Sequence, residues 1–117
     1  MMTPNEYQQL ANRTLVDQPG FDLNDEQIMI VWNAIGLSGE SGEVADLVKK
    51  GIFHQQGIDT DKLKKELGDV LWYLAALCTQ FGWTLEEVMQ LNIDKLKARF
   101  PEGYDPERTT FRDGMAE

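Results

Sequence analysis

The sequence predicts an all-α fold, a four-helix bundle completed by oligomerisation. Three observations carry that expectation. Capping residues and helix breakers divide the chain into four helical segments. No stretch shows the apolar–polar alternation of a strand. The segments are joined by short connections, as in helical bundles. The 117 residues suit one domain with a core of its own, placed at residues 1–101, with 102–117 as a tail, loop or partly disordered.

Each element has a local reason. Thr3-Pro4-Asn5-Glu6 is a capping box with proline at the first helical position, opening a helix to about Val16. Asp17 to Phe21, containing Pro19-Gly20, reads as a turn. Asn24 or Asp25 caps a second segment running towards Lys50. Within it Gly36, Gly39 and Gly42 each cost about 1 kcal/mol relative to alanine; either the helix breaks there or close packing requires them. Gly51 to Asp59 is a connector, and Asp59 or Thr60 caps a third helix that Gly82 stops after Phe81. Thr84-Leu85-Glu86-Glu87 is a second capping box, and Pro101 ends the fourth helix.

Projected at 100° per residue, the third helix gathers Leu63, Leu67, Val70, Leu71, Leu74, Leu77, Cys78 and Phe81 on one arc, the expected core face. Trp72, Ala75 and Ala76 lie elsewhere on its circumference. A helix apolar on several sides is buried on several sides, which points to a homodimer or larger assembly. The fourth helix directs Leu85, Met89, Ile93, Leu96 and Phe100 inward.

A net charge of −9 lacks the basic footprint that nucleic acid or an anionic membrane demands. No run approaches the roughly 18 apolar residues of a membrane span, and the N-terminus does not resemble a signal peptide. The expected location is therefore cytoplasmic. Cys78, the single cysteine, excludes an intrachain disulfide and reads as core filling.

The chemistry is carried by two carboxylate doublets of equal spacing, Glu40-Ser41-Gly42-Glu43 and Glu66-Leu67-Gly68-Asp69. Positions i and i+3 share a helix face, so two such helices packed together converge four acids. Crowded carboxylates require positive charge among them, and hard oxygen donors select Mg²⁺, Mn²⁺ or Ca²⁺. The first doublet shares its face with Val44, Leu47 and Val48, where unpartnered carboxylates are costly. Asn92, Lys95 and Arg99 form a flank on the fourth helix suited to phosphate. The plainer reading makes ordinary ion pairs of Lys62 with Glu66 and of Lys50 with Glu43, and leaves Lys95 and Arg99 as exposed charges near a helix C-terminus. His54, the single histidine, reads as a local cap.

Three blocks in order, Gly39 to Lys50, Lys65 to Tyr73 and Asn92 to Pro101, resemble the MazG-like all-α nucleoside triphosphate pyrophosphohydrolases. The resemblance implies that Glu40, Glu43, Glu66 and Asp69 hold Mg²⁺, with Mn²⁺ as an alternative, and are catalytic. It implies cleavage of a nucleoside triphosphate to monophosphate and pyrophosphate. Tyr73 then lies near the nucleotide, and Lys50, Asn92, Lys95 and Arg99 become contacts to phosphate or sugar. The competing expectation is a catalytically silent helical module that binds nucleotide or metal. A di-iron bundle is disfavoured, because neither doublet has the Glu-x-x-His spacing such sites use.

Overall fold

The computed structural model describes residues 1–18, 20, 22–54 and 56–107. Its helices are α1 (Pro4–Ala11), α2 (Asp25–Phe53), α3 (Thr60–Phe81) and α4 (Leu85–Arg99), with no strand among the described residues. The all-α expectation holds. None of the helices is long and apolar enough to cross a membrane. Pro19 and Phe21 of the expected turn, and residues 108–117 of the expected tail, lie outside the described residues.

The capping reading is matched closely. Thr3 and Glu6 form the box that opens α1, and Thr84 and Glu87 the box that opens α4. Asp59 accepts from the Lys62 amide at 3.1 Å. Gly82 takes φ +75°, and the amide of Trp83 then donates to the Cys78 carbonyl at 2.9 Å, closing α3 in a Schellman-type turn. Asn24, rather than Asp25, caps α2, and Gln27 completes a box there.

Two boundaries differ from expectation. The first helix ends at Ala11 and passes into a 3₁₀ turn over Asn12–Thr14 instead of reaching Val16; the Thr14 hydroxyl donates to the Ala11 carbonyl at 3.0 Å, occupying a helix-end acceptor. The second helix runs to Phe53, past Lys50. Gly51 is buried within it, and the connector folds back over it: a Cβ at Gly51 would lie 2.6 Å from Ile58 Cγ1.

Helix α2 is unbroken through its glycines. Close packing explains one of them, because a Cβ at Gly36 would overlap the Tyr73 ring. Gly39 and Gly42 have nothing within 4 Å of a built Cβ.

The molecule is organised around a hairpin of α2 and α3, by far the most extensive contact between helices. Protected positions on α2 recur at Ile30, Asn33, Leu37, Glu40, Val44, Leu47 and Gly51, and on α3 at Leu63, Glu66, Val70, Tyr73, Leu77 and Gln80. This three-and-four spacing is that of a coiled-coil seam. Helix α4 makes only a small contact with α3. The expected core arcs are therefore open within the chain: Leu67, Leu71 and Phe81 on α3, and Met89 and Ile93 on α4, are all exposed. Cys78 is the sole buried apolar side chain among the described residues. The radius of gyration, 20.6 Å, compares with about 13 Å for a compact domain of this length.

Candidate functional site

The seam carries acids as well as apolar residues. Glu40 occupies a seam position of α2; Glu66 occupies one of α3, and Asp69 stands one turn further on. One carboxylate oxygen from each of the three lies within 4.8 Å of the others. Glu40 and Glu66 are half-buried and Asp69 is exposed, so the cluster opens to solvent on the Asp69 side.

Like charges at this spacing oppose one another. A hydrogen bond with Glu66 holds the Glu40 carboxyl above its usual range, helped by burial and by the charges of Asp69, Glu66 and Glu43. Glu40 thus retains a proton more readily than an isolated glutamate.

Glu43 adds to that field but lines a different hollow, beside Asp46, Lys50 and Lys62 near the α2–α3 connector. Lys50 pairs with Asp46 at 2.8 Å, not with Glu43, and the expected Lys62–Glu66 pair is absent among the described residues. Glu66 is instead turned towards Glu40. The plainer reading of the doublets as helical ion pairs therefore does not describe them.

Tyr73 lies beside the cluster. Its ring packs over Gly36 and lines a hollow with Glu40, Asp69 and Trp72. Trp72 meets Tyr73 edge-on, ring centroids 5.0 Å apart. The sequence reading gave Trp72 no place in the site, although its adjacency to Tyr73 was a usable signal. Asn92, Lys95 and Arg99 are not among the residues lining this hollow; Arg99 instead lies over the Phe100 ring, 4.8 Å from its centroid. The single chain does not bring the cationic flank to the acids. His54 is the C-cap of α2.

Residues 33–104 match the family described as the MazG nucleotide pyrophosphohydrolase domain. The chain belongs to that family. The MazG match begins at Asn33, spans both doublets and the whole of α4, and ends beyond Pro101. A relative, the Gene 37 protein of Mycobacterium phage L5, is 39% identical over 101 residues, covering 83% of this chain and 88% of its own length. No solved structure shows significant similarity. Within a MazG domain the acidic cluster has a chemical setting, since the family generally uses a divalent metal and acts on nucleotides.

Proposed function

We propose that this protein is a Mg²⁺-dependent nucleoside triphosphate pyrophosphohydrolase that releases a nucleoside monophosphate and pyrophosphate. The convergence of Glu40, Glu66 and Asp69 carries the reading. These donors fit a divalent cation: all are hard oxygens, and the like charges of Asp69, Glu66 and Glu43 that bear on Glu40 would be relieved by a dication. Glu40, Glu66 and Asp69 would hold Mg²⁺ or Mn²⁺, with Glu43 adjoining them. Bound there, the ion supplies neutralising charge for the triphosphate and acidifies water.

The chain's own residues supply the remainder. Water adds to phosphorus, the α–β anhydride link breaks, and pyrophosphate departs. A first-doublet glutamate not fully engaged by the ion would accept the proton of the attacking water. Tyr73 and Trp72 bound the space beside the acids and exclude water from one flank. Lys50, Asn92, Lys95 and Arg99 are assigned to phosphate and sugar.

The proposed enzyme is a homodimer or homotetramer. The open apolar arcs of α3 and α4 support this, as does the near absence of an interior in the single chain. In such an assembly α4 of a second copy can bring its cationic flank to the acids. Glu66→Gln should abolish pyrophosphate release from nucleotides with Mg²⁺ while far-UV circular dichroism remains unchanged. Orthophosphate as the first product, or full activity in that variant, would sink the proposal. Nucleotide binding without turnover across a complete panel would favour the silent module.

A further inference from the structure

Two amides on the same seam are unexplained by the acidic cluster. Asn33 on α2, 6% exposed, is the single buried polar side chain among the described residues. Gln80 on α3 holds its Oε1 buried without a hydrogen-bond partner among the described residues. Buried polar groups are ordinarily paired, and an unpaired one is costly. Both residues line one open hollow of about 390 Å³, together with Trp72, Ala75, Ala76 and Thr79.

Trp72 also walls the hollow that contains Glu40 and Asp69, so the two hollows adjoin. Asn33 precedes Glu40 by two helical turns on the same face of α2, about 10 Å along the axis. Midway between them, the Tyr73 ring crosses Gly36. Along the seam the order is an amide pair, then aromatic rings, then carboxylates. That order matches the order of parts in a nucleotide: base, sugar, phosphates.

The geometry points to a nucleobase subsite in which Asn33 and Gln80 read the hydrogen-bonding edge of the base while Trp72 covers its face. This deepens the proposed function and rests on the acidic cluster being the triphosphate end. A carboxamide presents a donor and an acceptor side by side, which suits base edges that do the same. Stacking on an aromatic ring tolerates every base. Discrimination therefore falls to the two amides, since a site built to hydrogen-bond its ligand rejects one that leaves those groups unpaired.

The test is calorimetric titration of the full chain with the four nucleoside monophosphates, and separately with inorganic tripolyphosphate plus Mg²⁺. Wild type should prefer one base by about 10-fold or more. Asn33→Leu and Gln80→Met should each erase most of that preference while tripolyphosphate binding and the sedimentation coefficient stay unchanged. Asn33→Asp, close in shape but lacking the NH₂ donor, should shift the preference to a different base, which covers the case of a leucine variant that fails to fold. An unchanged base preference in all three variants would overturn the subsite, as would a changed sedimentation coefficient with preference intact, which would assign the amides to contact between chains. Monophosphate binding is scored without turnover. If no nucleotide yields pyrophosphate yet the amides still govern base preference, the pyrophosphohydrolase reading falls and the subsite stands.

Discussion

The Tyr73 ring packs directly on the backbone of Gly36, leaving no room for a side chain at that position of α2. Alanine is the better helix former by about 1 kcal/mol, so propensity alone predicts that Gly36→Ala stabilises. The contact predicts the reverse. Overpacking costs about 1–3 kcal/mol, and Gly36→Ala should lower the urea midpoint and displace Tyr73 from the acids. Tyr73→Ala, introduced with Gly36→Ala, should recover part of the loss by making room for the methyl group. Equilibrium unfolding of the two variants measures both effects.

Neutralising Glu40 should have opposite effects with and without metal. The hydrogen bond with Glu66, then burial and the charges of Asp69, Glu66 and Glu43, all favour its neutral form, so Glu40→Gln should melt higher than wild type in chelator at neutral pH. Addition of Mg²⁺ should reverse the order. Wild type gains about 2.7 kcal/mol at a hundredfold excess over Kd, whereas the variant, short of one donor, should gain little. Thermal melts with and without Mg²⁺ check this, and identical shifts in the two proteins would remove Glu40 from the metal site.

The Asp46–Lys50 pair sets a pH dependence of known sign. A hydrogen bond with Lys50, then the charges of Lys50 and Lys49, holds Asp46 below its ordinary 3.8. Its contribution is thus present above that value and lost as pH falls through the depressed one. The hydrogen bond and charge of Asp46 raise Lys50 above its ordinary 10.5. That contribution is present below 10.5 and lost as pH rises through the raised value. The difference in melting temperature between wild type and Asp46→Asn should be flat between these limits and shrink beyond either. Both side chains are exposed, so the difference should be small and should fade in 1 M salt.

Leu71 tests the open face of α3. A polar substitution at an exposed site normally changes stability by less than about 0.5 kcal/mol, and Leu71 is half exposed in the single chain. In the proposed assembly it is covered. Leu71→Glu should then move the sedimentation coefficient to that of a monomer and reduce helicity at micromolar concentration. Unaltered sedimentation would exclude this arc from the interface.

The features legible in the sequence are those whose causes lie within three or four residues. The Thr3–Glu6 and Thr84–Glu87 boxes, the Asp59 cap and the Gly82 stop each satisfy backbone groups of their own turn, so residue type and spacing suffice. The side of α3 that meets α2 is not determined locally. A projection selects the arc richest in leucine, but only its edge, with Leu63, Val70 and Leu77, lies on the seam with α2, which is completed by Glu66 and Tyr73. Both sides are apolar enough, and only the partner helix decides. The same limit hid the reason for Gly36 and the burial of Asn33, which depend on residues of α3 far along the chain. The acidic doublets were legible as a pattern; that Glu40, Glu66 and Asp69 draw close while Glu43 faces another hollow depends on how the hairpin is wound.

The near absence of an interior has a consequence for the living cell. With Cys78 as the single buried apolar side chain described, most of the hydrophobic free energy available to this sequence is still ungained in one copy. On the proposed assembly, stability belongs to the population of chains and follows mass action. A low level of synthesis would leave nascent chains helical in parts but without a durable native state. An inactive variant produced alongside the normal chain would enter the same assemblies and silence partners that carry no defect of their own.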